Sequence, residues 1–424
     1  MISIEINEIN EDWVNYYINK GKLKNFKKIF NTYKSYSTSS EKKYKDLEPW
    51  IQWPSFYTGL SYCDHKCFHI GDFHKKKHES IYTSLQDRGL SVLAVSPMNC
   101  YFKESNNSFL LPDPWEEFVP QNKGFISRFY NSVKLFVNTN AGGGVTVKDY
   151  LNLLFGFIAY SRPKNYLKYL SFLFKSISYK WYRALFLDLL LTDVFIKLHK
   201  KGYYEYSSLF LNAGAHIQHH HLYDSACYKG KNINPEGYSK ASMTNKDPLF
   251  EVFSLYDEII SDLVSLDIKF MITTGLQQIE NLRPYYQYRF VDFHKTLRQL
   301  NIEFSEVIPR MSRDFTIKFP NSDAYNNALS CLNLTTINNE ALFDIDKDES
   351  LNELFVKIDW TGAINAFRNI KYKDKSYNII NNIALVSVEN SIHKSKGWHI
   401  RNFDIDSNSN IDIWDIRKII ERNI

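Results

Sequence analysis

The chain of 424 residues is 44% hydrophobic and 23% charged, a balance that excludes a disordered or fibrous polymer and leaves room for a large core in two or three lobes. Its net charge of +5 is spread without a basic block, which argues against nucleic acid as a partner and suits an acidic or phosphorylated substrate. Five scattered cysteines fit reduced thiols, and Glu5 and Glu8 interrupt the opening where a secretory apolar core would run, so a cytoplasmic location is expected.

In chain order, apolar runs at Ile2–Ile6, 90–95, 208–211, 268–273 and Ile383–Val388 predict buried strands. Helical periodicity lies between them: 12–30 carries Val14, Tyr17, Ile18, Leu23, Phe26 and Ile29, and 250–266 carries Phe253, Tyr256, Ile259, Ile260 and Leu263. Strands alternating with helices imply an α/β fold, a doubly wound and mostly parallel sheet flanked by helices. Residues 101–146, with Pro112, Pro114, Pro120 and Gly142 to Gly144, read as an extended loop region leading into a helical cap lobe that ends at 202. That lobe is the most apolar part of the chain, yet Arg162, Lys164, Lys168, Lys175, Lys180, Asp188 and Asp193 break it before the ~20 apolar residues that a membrane crossing requires. Residues 151–198 therefore suit a packed lobe, with peripheral membrane contact as the alternative. Residues 301–365 read as a small α+β insertion, which leaves 1–100, 203–300 and 366–424 as the α/β core.

Chemistry concentrates in residues 208–225. There a strand-like run and the turn Asn212-Ala213-Gly214-Ala215 are followed by His216, His219, His220 and His221. Ligands of open parallel sheets gather beyond the carboxyl ends of the strands, so imidazoles placed there face a binding crevice and form a metal-site candidate. The plainer reading is a histidine-rich loop, part packed and part solvated.

Four segments stand in a telling order: Pro54-Ser55-Phe56-Tyr57-Thr58-Gly59-Leu60 with His65 after it, Asn212-Ala213-Gly214-Ala215-His216, His393-Lys394-Ser395-Lys396-Gly397-Trp398, and Ile413-Trp414-Asp415-Ile416. Together they resemble the alkaline phosphatase superfamily, and within it the type I phosphodiesterase and nucleotide pyrophosphatase branch. The first looks like the family's Thr-Gly motif, at the end of the helix that begins with the nucleophile. The second and third are similar to its Asp-x-x-x-His and late His-x-x-x-Gly metal motifs, and the fourth to its closing Asp-Ile-Ala-Pro-Thr segment. The resemblance covers nearly the whole chain outside the cap lobe and the insertion.

It implies an alkaline phosphatase-like fold and a two-metal hydrolase, in which one cation binds phosphate and the other activates a Ser or Thr nucleophile. The chain departs from that pattern at one half of the site. The first metal aspartate falls at Asn7, with Glu5 and Glu8 close by, the nucleophile falls at Pro49, which has no hydroxyl, and Thr273-Thr274-Gly275-Leu276 stands where the family has an Asp-His pair. What the resemblance then implies is a single divalent cation, Zn or Mn, with ligands from Asn7, Asn212, His216 and His393, and Glu48 as the catalytic base. The implied substrate is a phosphate or related ester, such as a phosphorylated or lipid-linked glycan of surface polysaccharide synthesis. The competing reading is a binding or assembly protein for glycan or protein partners, with the crevice kept, hydrolysis lost and no metal held.

Two further patterns compete for a cation. Asp404, Asp406, Asn408, Asp412 and Asp415 have calcium-loop spacing, with Ser409 where the turn glycine belongs. Cys63, Cys67, His74 and His78, with His65 and His69 between them, are zinc-ligand types, but their two pairs stand closer than those of a zinc finger.

Overall fold

The computed structural model describes residues 1–43, 46–116, 124–138, 146–235, 246–266, 268–283, 285–309, 313–348, 351–403 and 410–424. They form two compact units, Met1–Glu280 with Ser391–Ile424, and Asn281–Asn390.

The first unit starts with β1 (Ile2–Ile6), buried along its whole length with Ile2, Ile4 and Ile6 in one core and Ser3 and Glu5 on the other face. Burial on both faces is the mark of a strand central to a parallel sheet. Helices α1 (Glu11–Asn19) and α2 (Lys24–Thr32) divide the single helix expected over 12–30, because Gly21 turns the chain at φ +73° between them. The polar strand β2 (Ser35–Ser39) leads to α3 (Pro49–Thr58), which has Glu48 at its N-cap and Pro49 in its first turn. Short helices α4 (Tyr62–His65), α5 (Asp72–Lys76) and α6 (Ile81–Asp87) precede β3 (Val92–Val95).

The stretch read as an extended loop holds β4 (Phe109–Leu111) and a 14-residue helix, α7 (Phe125–Asn138). Pro120 and Gly142 to Gly144 lie outside the described residues. Helices α8 (Val147–Tyr160), α9 (Tyr166–Ser178) and α10 (Tyr182–Lys201) build the helical lobe. After them come β5 (Tyr206–Leu211), α11 (Ala213–His221), α12 (Pro248–Val264), β6 (Phe270–Thr273) and β7 (Gln277–Glu280).

The second unit has its own core around Phe290, Phe315, Leu332 and Val356. In chain order it comprises β8 (Tyr286–Phe290), α13 (Phe293–Gln299), β9 (Glu306–Pro309), β10 (Asp314–Lys318), α14 (Ser322–Leu334), β11 (Thr335–Ile337), β12 (Glu340–Ala341), β13 (Phe343–Asp348), β14 (Glu353–Ile358), β15 (Ile370–Tyr372), β16 (Lys375–Tyr377) and β17 (Ile383–Val388). Strand β17 pairs antiparallel with β8. The apolar run at Ile383–Val388 therefore belongs to this unit and not to the central sheet, and the insertion read at 301–365 is the middle of a unit spanning 281–390. Periodicity identifies a strand, but not the sheet it joins.

The chain returns to the first unit with β18 (Ser391–Lys394), β19 (Lys396–Arg401), β20 (Asn410–Asp412) and α15 (Ile416–Glu421). The central sheet runs β20-β2-β19-β6-β1-β5-β3-β4. Strand β19 is antiparallel to β2 and β6, and every other neighbouring pair is parallel, with Ile4 of β1 in register with Leu209 and Ile272. Helices α1, α2, α10 and α12 cover one face, while α3, α6 and α15 cover the other. The doubly wound, mostly parallel α/β sheet expected from the sequence is the architecture found.

This topology assembles one edge. Strands β1, β5 and β6 end there, at Asn7, Asn212 and Thr274, and β19 begins there because it runs the other way. A Cβ on Gly397 would stand 2.2 Å from the Gly275 carbonyl oxygen, so β19 can lie this close to the β6–β7 turn only with glycine at 397. Strand β18, just before β19, pairs with β7 and carries His393 to the same edge.

Candidate metal centre

Helix α11 is held at its start by a buried carboxylate. Asp188 of α10 accepts hydrogen bonds from the Ala213 amide at 2.9 Å and from the Tyr256 hydroxyl at 2.7 Å, and the Gly214 amide donates to the Tyr256 oxygen at 2.8 Å. An anion there meets the unpaired amides and the positive end of the helix dipole. Burial still pushes the Asp188 pKa up to about 6. With that end fixed, His219 falls two turns along the helix, over the end of β1.

Glu8 reaches the same point by a backbone device. Its φ of +61° is the left-handed region, uncommon for a non-glycine residue. The conformation is held by its amide donating to Thr274 O at 3.0 Å, and by its carbonyl accepting from Gln278 N at 3.1 Å and Gln218 Nε2 at 3.0 Å. Such strain persists where the surroundings over-determine it, and it clusters at functional sites.

The Glu8 carboxylate is the hub of the site. Oε1 accepts from Asn7 Nδ2 at 2.9 Å, while Oε2 accepts from Gln278 Nε2 and stands 3.0 Å from His219 Nε2 and 3.1 Å from His393 Nε2. The two imidazole Nε2 atoms are themselves 3.0 Å apart. Trp53 Nε1, which can only donate, bonds Asn7 Oδ1 at 2.8 Å and so turns the Asn7 amide group toward Glu8 and toward Asn212 Oδ1, also at 2.8 Å. Burial pushes the Glu8 pKa up; where the His393 and His219 rings carry a proton on Nε2, their charge and hydrogen bonds outweigh it and hold the carboxyl well below its usual range.

The far nitrogens of both imidazoles fix their tautomers. His219 Nδ1 lies 3.1 Å from the Ser391 carbonyl, which can only accept, so this nitrogen carries the proton. His393 Nδ1 lies 3.7 Å from Glu48 Oε2, and the carboxylate favours a proton there too. In the neutral rings both Nε2 atoms then present lone pairs, and with Glu8 Oε2 they make three acceptors around one point. Only one proton can occupy the gap between two nitrogens 3.0 Å apart. A divalent cation satisfies all three, and carboxylate and imidazole oxygen and nitrogen are zinc-type donors with second partners that orient them. Ligand atoms around tetrahedral zinc stand about 3.3 Å apart, so an opening of a few tenths of an ångström accommodates the ion. Among the described residues this is the one group of three or more His, Cys, Asp or Glu side chains able to converge on a cation.

The residues singled out from the sequence thus have distinct places. His393 is a member of the converging triad, and Asn7 and Asn212 bond one another beside it. Glu48 stands behind His393 at the start of α3. His216 is exposed, its ring packed edge-on against His220 at 4.7 Å, outside the triad. The sequence reading did not assign Glu8 and His219 as ligands, although each has a signal: Glu8 follows Asn7, and His219 lies one helical turn beyond His216.

The serine–histidine pair between α3 and α4 is not arranged for attack. Ser55 Oγ lies 2.9 Å from His65 Nε2, but His65 Nδ1 accepts from the Cys67 amide at 3.0 Å, so the ring proton is on Nε2 and points at the serine. Burial lowers the His65 pKa to about 4. A neutral imidazole donating to a hydroxyl cannot deprotonate it. Nearby, Cys63 is exposed, Cys67 is buried against its own turn, and no group of three or more zinc-type side chains forms there among the described residues. Asp404, Asp406, Asn408 and Ser409 of the calcium-loop pattern lie outside the described residues.

No family model and no curated protein matches the chain. Among solved structures it is similar to phosphonoacetate hydrolase from Sinorhizobium meliloti 1021 in complex with phosphonoacetate, at 11% identity and a TM-score of 0.45 over 99% of this chain and 94% of that one. It is also similar to murine ectonucleotide pyrophosphatase/phosphodiesterase 5, at 9% identity and a TM-score of 0.43 over 100% of this chain and 94% of that one.

Proposed function

We propose that the protein is a divalent-metal-dependent hydrolase or transferase of phosphate esters with a single cation site at Glu8, His219 and His393. The observation that carries this reading is the convergence of Glu8 Oε2 and two imidazole Nε2 atoms within about 3 Å, with His219 Nδ1 bonded to the Ser391 carbonyl and His393 Nδ1 facing Glu48 at 3.7 Å. A cation held there would supply Lewis acidity to a phosphoryl oxygen and lower the pKa of a bound water. Two imidazoles and one carboxylate leave a fourth position open, as catalytic zinc sites do.

The chain's own residues do the rest. Glu48, 3.7 Å from His393 Nδ1, favours the ring proton on that nitrogen and so leaves Nε2 free to face a cation. Asn7, oriented by Trp53, and Gln278 fix the Glu8 carboxylate so that Oε2 faces the two rings. Pro49 lacks a hydroxyl, and that favours water as nucleophile over a covalent phosphoenzyme.

Metal-free protein reconstituted with Zn or Mn, assayed on bis-p-nitrophenyl phosphate and p-nitrophenyl phosphate, tests the proposal. Metal-dependent turnover is expected in the wild type and in His216→Ala, with loss in His219→Ala. Turnover without metal, or equal loss in both variants, would overturn it. The absent hydroxyl and the silenced Ser55–His65 pair also favour a second reading, a metal-holding binding protein. It predicts stoichiometric metal with no turnover of either ester.

A further inference from the structure

The helical lobe leaves an apolar face uncovered. On α8, Val147 and Ile158 are 76% and 58% exposed, and on α9, Leu167, Phe174 and Ile177 are 82%, 71% and 80% exposed. With Leu151, Leu154 and Leu170 they recur every three to four residues, one outward stripe per helix. The inward stripes are already occupied, with Tyr169 and Phe172 buried and Phe157 edge-on to Tyr169 at 4.8 Å. The exposed apolar side chains of the two helices present on the order of 1,000 Å², well above the 300–600 Å² patch of an ordinary monomer.

Charge decides what can cover it. The lysines of this region lie along one border, where Lys164, Lys168 and Lys175 pair with Asp262, Glu258 and Glu251 of α12. Exposed cations flank the two stripes, Lys148 at the start of α8, and Lys180 and Arg183 after α9. Between residues 146 and 183 the sole acidic residue is Asp149, and its carboxylate is tied to the Thr146 amide and hydroxyl in its own helix cap. An apolar stripe rimmed by cations matches the boundary between acyl chains and anionic headgroups. A second copy docked through a two-fold axis would bring one cationic rim against another, with the border acids Asp262, Glu258 and Glu251 already paired to lysines of their own copy.

We propose that α8 and α9 dock the protein on the surface of a bilayer containing anionic lipid, with the apolar stripe in the headgroup–acyl boundary and Lys148, Lys180 and Arg183 at the headgroups. No helix of the described residues is long and apolar enough to cross a membrane, so the contact is interfacial. This inference is independent of the metal centre.

Flotation of the full chain with phosphatidylcholine vesicles, with and without phosphatidylglycerol, tests it, read beside the mass in solution from light scattering. The expected result is flotation with the anionic vesicles that weakens in high salt. A Phe174→Glu/Ile177→Glu variant, whose sites are exposed and whose melting temperature should stay at the wild-type value, is expected to lose about tenfold or more of the bound fraction. Lys180→Glu/Arg183→Glu should reduce binding to anionic vesicles alone. A monomer that floats with neither vesicle overturns the proposal, and so does a dimer that ignores vesicles and falls apart in Phe174→Glu/Ile177→Glu, which would assign the face to a second copy.

Discussion

Replacing Glu8 by Gln separates a cation site from a structural ion pair, because the two predict opposite effects on the metal-free protein. Glu8 Oε2 stands 3.0 and 3.1 Å from the two imidazole Nε2 atoms. If these nitrogens carry lone pairs, the metal-free wild type holds three acceptors together, and a glutamine amide facing them donates two N–H bonds while giving up the one bond that Oε2 accepts from Gln278 Nε2. One hydrogen bond is worth about 1 kcal/mol net, so metal-free Glu8→Gln should match the wild type in stability or exceed it by roughly that amount. If instead the rings are protonated partners of the carboxylate, removing the charge leaves buried cations unpaired and costs about 3–5 kcal/mol. Metal affinity should fall at least 100-fold with the lost anionic ligand, equivalent to about 2.8 kcal/mol. Urea unfolding in chelator at neutral pH reads the first quantity, and titration calorimetry with Zn or Mn reads the second. A strongly destabilised metal-free variant, or one that binds metal as the wild type does, refutes the lone-pair argument.

Other outcomes follow from the same geometry. Glu48→Gln should preserve metal stoichiometry and lower affinity about 10- to 100-fold, since it loosens the His393 tautomer without removing a ligand, as calorimetry would show. Gly397→Ala should cost several kcal/mol or prevent folding, read as melting temperature or soluble yield, because its Cβ meets the Gly275 backbone oxygen and neither strand can yield cheaply. Glu5 is buried beneath the sheet, and its pKa is raised from 4.5 to about 8 by burial, against the hydrogen bond from Tyr57 at 2.7 Å. A raised carboxyl favours the fold fully below the unfolded pKa, and the benefit disappears as pH climbs from about 4.5 to about 8. The shift of some three to four pKa units sets a ceiling near 5 kcal/mol. Glu5→Gln should flatten the decline of stability across that window in unfolding measured as a function of pH, and an unchanged slope would mean that Glu5 is ionised in the fold.

The sheet was legible because its strands are continuous apolar runs, and β1, β3, β5 and β6 lie where those runs predict them. Strand β2, Ser-Tyr-Ser-Thr-Ser, has no such signal and is a strand only because β19 and β20 pair with it. Helix α7 was obscured by the prolines and glycines around it, and one helix became two at Gly21. In the site, His393 was legible from its spacing to Gly397, and the structure supplies a physical reason for that spacing. The glycine lets β19 approach the β6–β7 turn, and β18 just before it, paired with β7, places residue 393 at the sheet edge. Glu8 was hidden for the opposite reason. Its side chain reaches the crevice only through a positive φ that no local propensity favours, maintained by contacts from Thr274, Gln278 and Gln218, more than 200 residues away.

On the proposed reading, Glu8 and His219, the two ligands not assigned from the sequence, bear on the chemistry together. The set that the resemblance implies and the set that the geometry assembles share His393 but differ by one residue at the end of β1 and by one helical turn on α11. Asn7 and Asn212, which take the motif positions, are bonded to each other, and Asn7 also to Glu8, through amide groups that cannot carry charge. Where the resemblance implies two carboxylates, two neutral amides bring no charge to hold a second cation, and on the proposed reading one carboxylate with two imidazoles is a donor set for a single divalent ion. On the proposed single-cation reading, a residue without a hydroxyl at Pro49 and the presence of one ion rather than two have one explanation. A nucleophile bound to the protein needs a cation beside it, and a site with one cation has its open position left for water or for the phosphoryl oxygen.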